Sequence, residues 1–91
     1  MQFEWSPEKA EKNYKKHGVT FNEATTVFND PLSLTFRDPD HSVGEERYII
    51  IGLSINNRLL IVAHTERREK IRIISVREAT RNERRFYAEG K

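Results

Sequence analysis

The chain has 91 residues and no cysteine, which is room for a single domain and excludes disulfide or thiolate chemistry. The net charge is only +2, but residues 67–91 hold nine basic and four acidic side chains. This local surplus predicts an anionic partner, with nucleic acid the first candidate, or a solvated basic helix.

No apolar run approaches the roughly 20 residues that cross a bilayer. The N-terminus lacks a basic start followed by an apolar stretch, so a signal peptide is not expected either. The sequence therefore predicts a cytoplasmic protein without a membrane partner.

Two helices are predicted at the N-terminal end, after a short aromatic strand at residues 3–5. Pro7 suits the first helical position, and Gly18 suits the residue just past a helix end. Thr20 opens the second helix with a capping box, and Pro31 ends it.

The first helix has two distinct faces. Lysines at three- and four-residue spacing (Lys9, Lys12, Lys16) share one face, and Asn13 and His17 lie on another. At the end of a helix, a histidine such as His17 is more often a capping or core residue than a catalyst.

The hydrophobic period then changes from helical to strand-like. Strands are predicted at residues 32–36, 47–54, 59–66 and 70–76, with a polar loop at 37–46, tight turns at 56–57 and 67–69, and a last helix from Arg77 to about Glu89. The predicted fold is therefore α+β: N-terminal helices, an antiparallel sheet of about four strands and a C-terminal helix.

The two turns predict how the strands pair. A turn at 56–57 sets Ile49 opposite His64, and a turn at 67–69 sets His64 opposite Arg72. Because side chains alternate faces, five ionisable groups would then converge on one face of the sheet. These are Arg47, His64, Glu66, Lys70 and Arg72.

Such a cluster suits metal-independent cleavage of RNA. Glu66 or His64 would take the proton of a ribose 2′-hydroxyl, Arg47 and Arg72 would stabilise the charge on the phosphoryl oxygens, and Lys70 would contact the backbone. The alternative is an ordinary cross-strand salt-bridge ladder beside a structural histidine.

Arginines also recur at helical spacing in the last predicted helix. They form either an RNA-backbone stripe or a solvated face: Arg77, Arg81, Arg84 and Arg85. His41 with Asp38 and Asp40 only loosely suggests a metal site, because the ligand spacing is not diagnostic. We expect neither a metal nor a cofactor.

At the level of motifs, the chain resembles the BrnT toxins along most of its length. The segments that carry this resemblance are FEWSPEKAEKNYKKHGVTFNEATTVFNDP, GEERYIIIG and HTERREKIRIISVREATRNERR. The resemblance implies a RelE-like fold and a ribonuclease toxin of a type II toxin–antitoxin system that arrests translation, acting on RNA that is free or on the ribosome. It also implies a ribbon-helix-helix antitoxin of the BrnA type, through which the complex would bind promoter DNA.

One rival function comes from a different class. A non-catalytic module could hold nucleic acid on the C-terminal arginine stripe without cleaving it. An RNA cleavage assay in EDTA distinguishes the two functions.

Overall fold

The computed structural model describes residues 1–38, 40 and 44–90. Its helices and strands, in chain order, are β1 (Gln2–Glu4), α1 (Pro7–His17), α2 (Phe21–Thr26) with a 3₁₀ turn (Val27–Asn29), β2 (Leu34–Arg37), β3 (Arg47–Leu53), β4 (Leu59–Arg67), β5 (Lys70–Glu78) and α3 (Arg81–Glu89). This confirms the predicted α+β class and the C-terminal helix.

Local signals set both ends of α1 and the start of α2 where the sequence predicted them. The Ser6 side chain accepts a hydrogen bond from the backbone of Lys9, and Gly18 ends α1 with a left-handed φ of 71°. The side chain of Thr20 accepts from the backbone of Glu23 at the start of α2. Each signal satisfies a backbone group that the helix itself leaves unpaired.

Within the described residues the sheet has five strands, in the order β1-β5-β4-β3-β2. β2, β3, β4 and β5 form an antiparallel meander. β1 joins the sheet as a fifth strand, parallel to β5, with Phe3 opposite Ile71. The sequence indicated a strand here but not its place in the sheet.

Both predicted hairpin registers are wrong by one residue. The first turn spans residues 55–57, closed by a hydrogen bond from Ser54 N to the Arg58 carbonyl (2.9 Å), so His64 faces Tyr48. The second turn uses only Arg68 and Glu69, and Arg68 adopts a φ of 56°.

A bulge displaces β5 further. His64 pairs with Ile73, whereas Ala63 pairs with Ser75, so Ile74 is left between two pairs. A bulge of this kind moves the following side chains to the opposite face of the strand. The predicted pairing of His64 with Arg72 is wrong for a different reason: the shorter second turn places Thr65 opposite Arg72.

The two faces of the sheet are packed differently. On the covered face, a buried cluster joins the sheet to α2 and the segments beside it; the members are Val19, Phe21, Ala24, Val27, Ile50, Leu60, Val62, Ile73 and Val76. On the other face, α3 covers only one end, over Ile51, Leu59 and Ile61. We call this second face the groove face, because half of it stays open.

Two carboxylates, one buried and one half-buried, tie the helices to the rest of the fold. Glu23 accepts hydrogen bonds from Ser54 (2.6 Å) and from the Arg58 guanidinium, and the Arg58 bond is the main reason that the pKa of Glu23 falls to about 2. Asp30 accepts from the Tyr87 hydroxyl at 2.6 Å. This bond anchors α3 to the end of the 3₁₀ turn.

The last helix begins at Arg81, so the prediction that it starts at Arg77 is wrong. β5 extends to Glu78, which makes Arg77 a strand residue. A full capping box between Thr80 and Glu83 then opens α3. No helix in the described part of the chain is long and apolar enough to cross a membrane.

Candidate functional site

A groove of about 370 Å³ opens on the groove face between the end of α1 and the strands. Its apolar floor consists of Ile49, Ile61 and Ala63. Four basic residues stand in its walls, and we therefore call it the cationic groove. The wall residues are Lys16, His17, Asp38, Arg47, Ser75, Val76 and Arg77.

Arg47 is the unpaired arginine of the cationic groove. It is the first residue of β3 and points to the same face as Ile49 and Ile51, because strand side chains alternate. Its guanidinium is half-buried and makes no hydrogen bond or ion pair with any residue that the structure describes. An unpaired guanidinium over an apolar floor is a strong site for a phosphate.

α1 brings Lys16 and His17 to the opposite rim. A buried side chain, Asn13, holds the helix in place: it donates to the Val76 carbonyl (2.9 Å) and accepts from the Val76 backbone N–H (3.0 Å). Asn13 thus stands where a neighbouring strand would pair with β5. Because His17 lies one turn further along the same side of α1, this clip places the imidazole at the groove.

Arg77 is held differently from Arg47. Both ends of its guanidinium fork bind Glu83, at 2.8 and 2.9 Å. This pairing lowers the pKa of Glu83 to about 2 and raises that of Arg77. Arg77 therefore fastens α3 to β5, and its charge is largely neutralised.

Arg47 and Arg72 flank the same residue on the groove face. Thr65 lies opposite Arg47 on one side and Arg72 on the other. Arg72 contacts Glu4 at 3.5 Å. Thr65 is 3 % exposed, and its hydroxyl has no hydrogen-bond partner within the described residues.

The structure contradicts the predicted convergence of five ionisable groups. Arg47, Lys70 and Arg72 project from the groove face, but His64 and Glu66 project from the covered face, because each hairpin register differs by one residue. The predicted catalytic cluster therefore does not form.

His64 lies in the core. It is 2 % exposed, stacked on Tyr48 with ring centroids 5.9 Å apart and meeting the edge of Phe28 at 4.9 Å. Burial lowers the pKa of its imidazole. A neutral ring enclosed by aromatic side chains cannot reach a substrate. His64 is therefore a structural histidine, which was the alternative that the sequence left open.

The other predicted RNA-binding residues are spread over the surface. Lys70 lies at the far end of β5, beside β1. Arg81, Arg84 and Arg85 are all exposed on α3 and form no ion pair with another described residue. Arg77 does not belong to this stripe, since it lies on β5.

Within the described ranges, no group of three or more His, Cys, Asp or Glu residues could hold a metal ion. His41, which loosely suggested a metal site with Asp38 and Asp40, lies outside those ranges.

Residues 5–83 match a family described as the ribonuclease toxin BrnT of type II toxin–antitoxin systems. The chain belongs to the BrnT family. The fold agrees: the crystal structure of the ribonuclease toxin BrnT from Brucella abortus superposes with a TM-score of 0.69 at 21 % sequence identity, over 89 % of this chain and 99 % of that one. No curated protein matches the sequence.

Reasoning from the sequence found Arg47 and Arg77 but missed the rim that α1 contributes to the groove in this BrnT chain. Lys16 and His17 adjoin Gly18, so they appeared to be ordinary residues at a helix end. The available signal was Asn13, a polar residue on the inward side of α1, four residues before His17. A buried amide needs partners, and those partners turned out to be the backbone of β5.

Proposed function

We propose that this chain is a metal-independent endoribonuclease toxin whose active site is the cationic groove. The observation that supports this most directly is the unpaired Arg47 guanidinium facing Lys16 and His17 across an apolar floor. Arg47 binds the scissile phosphate and stabilises the negative charge that grows on its oxygens. Low polarity beneath the phosphate strengthens that interaction.

His17 has the chemistry of the general base. Its imidazole takes the proton of the ribose 2′-hydroxyl, and the 2′-oxygen then attacks phosphorus as the bond to the 5′-oxygen breaks. The departing oxygen takes up a proton, for which the Lys16 ammonium on the same rim is an acid. The products are a 2′,3′-cyclic phosphate and a 5′-hydroxyl end.

Arg72 extends the phosphate site along the sheet. Arg47 on β3, Thr65 on β4 and Arg72 on β5 lie side by side on the same face of the sheet. Glu4 partly engages the Arg72 side chain. We assign it a neighbouring phosphate of the RNA rather than the scissile one. Lys70, two residues away on the same face, continues this positive edge.

The test is cleavage of RNA by purified toxin in EDTA, with mapping of the new ends. Arg47→Ala should lower the cleavage rate by about a hundred- to a thousandfold, and Arg47→Lys should recover only part of it. Arg37→Ala is the matched control, because Arg37 is exposed and already pairs with Glu46. Normal cleavage by Arg47→Ala, or no cleavage by wild type, would remove the groove as the active site.

We further propose that the antitoxin is a ribbon-helix-helix protein of the BrnA type and that it covers the groove. In the cytoplasm, free toxin would cut RNA and stop translation, while the complex would bind promoter DNA through the antitoxin. Support comes from the family, and from the unpaired cations, which attract an acidic or polar segment. The saturated complex should cleave no RNA and should melt at a higher temperature than the toxin alone.

A further inference from the structure

A row of lysines on α1 leads away from the cationic groove. Lys9, Lys12 and Lys16 line a second cavity of about 240 Å³ along the seam between α1 and β5, together with Asn13, His17, Ile74 and Ser75. Lys16, His17 and Ser75 also line the cationic groove. The two cavities therefore adjoin, and a chain leaving one enters the other.

The charges in this row are available to a ligand. Lys9, Lys12 and Lys16 are exposed, and none forms an ion pair with another residue in the described parts of the chain. Apart from Arg47, two arginines of the groove face are already engaged: Arg72 contacts Glu4, and Arg77 binds Glu83.

The row is also held in a fixed position. Lys9 and Lys16 are two turns apart, which is about 10 Å along the helix axis. Asn13, in the middle of this segment, ties α1 to the backbone of β5 through Val76. The lysine row is thereby kept against the edge of the sheet, in line with the groove.

We propose that Lys9 and Lys12 bind the phosphates of the single-stranded RNA that flanks the cleaved nucleotide. This proposal rests on the proposed function, since the groove supplies the starting point of the path. Lysine ammonium groups act as point charges toward phosphate, so the row reads no bases and favours long substrates over short ones.

Binding of RNA that cannot be cleaved tests the path directly. The probe is a 2′-O-methyl single-stranded RNA of twelve nucleotides, titrated by fluorescence anisotropy over a range of salt concentrations. Each lost phosphate contact should flatten the log–log salt dependence by about 0.7. The double variant Lys9→Ala/Lys12→Ala should therefore lose about 1.4 of slope and bind about tenfold more weakly near physiological salt.

The matched control is Arg81→Ala/Arg85→Ala, which removes the same charge from the exposed face of α3. We expect its slope to equal that of wild type. A reduced slope in this control alone would place the RNA on α3 and overturn the proposal, as would an unchanged slope in the lysine variant. All four side chains are exposed, so melting temperatures should stay at the wild-type value.

Cleavage kinetics separate this proposal from the proposed function. For the lysine variant, KM should rise with a twelve-nucleotide RNA while kcat stays unchanged, and a trinucleotide should be cleaved as by wild type. If wild type cleaves RNA but the variant shows no change in KM, the path is wrong and the active site stands. If wild type binds the probe through the lysines but cleaves no RNA, the path is right and the proposed active site is wrong.

Discussion

Two histidines of this chain lie on opposite sides of the same sheet and have opposite environments. His64 is 2 % exposed and lies between Phe28 and Tyr48, whereas His17 stands at the rim of an open groove beside Lys16. The sequence placed His64 on a strand among other ionisable residues and so favoured it as the catalyst. Only His17, however, can be reached by a substrate. Access to substrate, and not position in a motif, separates a candidate catalyst from a core residue.

Of the variants that test this comparison of histidines, the one with the largest expected effect on cleavage is at His17. If the imidazole takes the 2′-hydroxyl proton, His17→Gln should lower cleavage by about a hundredfold or more, because general-base catalysis contributes on that scale. The melting temperature should not change, since the side chain is only partly buried. Single-turnover cleavage and thermal melting on the same preparation check both statements. Near-normal cleavage by His17→Gln would show that His17 is not the general base.

His64 should show the reverse pattern. His64→Ala leaves a cavity between two aromatic rings, and truncating a large buried side chain costs about 2–4 kcal/mol. The free energy of unfolding, measured in urea, should fall by that amount. Cleavage per folded molecule should remain at the wild-type level. A large loss of rate at full stability would return His64 to the mechanism.

A smaller effect is expected at Arg72. Because Glu4 already engages its guanidinium, Arg72→Ala should lower cleavage by about tenfold, well below the effect of Arg47→Ala. Measuring kcat/KM for both variants at one salt concentration tests this order. An equal or larger loss for Arg72→Ala would shift the scissile phosphate toward β5.

The smallest effect is a pH dependence of stability. Burial lowers the pKa of His64 from its usual 6.5, so the unfolded chain binds a proton that the folded chain excludes. The free energy of unfolding is therefore unaffected by the titration of this histidine above pH 6.5 and decreases as the pH falls below that value. Glu23, with its pKa lowered from 4.5 to about 2, acts only in more acid solution.

A matched pair of variants isolates the histidine responsible. His64→Phe keeps an aromatic ring in the core and should abolish the change in unfolding free energy between pH 7 and pH 5. His17→Gln should leave that change intact. If the slope disappears instead in His17→Gln, the assignment to the buried ring is wrong.

The sequence predicted what local chemistry decides. Pro7, Gly18 and Thr20 mark ends of the first two helices because each of these signals acts within about four residues of itself. The strand registers could not be predicted as reliably. They depend on whether Asn57 alone adopts a left-handed φ and on a bulge near Ala63, and a shift of one residue moves every side chain to the other face.

The site shared this weakness. Arg47 was predicted on the same face as Ile49, and this alternation within one strand holds whatever the register between strands. His17 reaches the groove only because Asn13 pairs with Val76, 63 residues away. No local sequence pattern around His17 encodes that contact. The position of His17 at the groove therefore could not be predicted without the structure.

The parallel pairing of β1 with β5 has a consequence for the synthesis and folding of the toxin. Glu4 and Arg72, which this pairing brings together, are 68 residues apart in the chain, so the contact closes a long loop at a cost in chain entropy. The groove also requires Ser75 and Arg77 from β5. The cationic groove is therefore complete only once β5 has been synthesised and has joined the sheet beside α1.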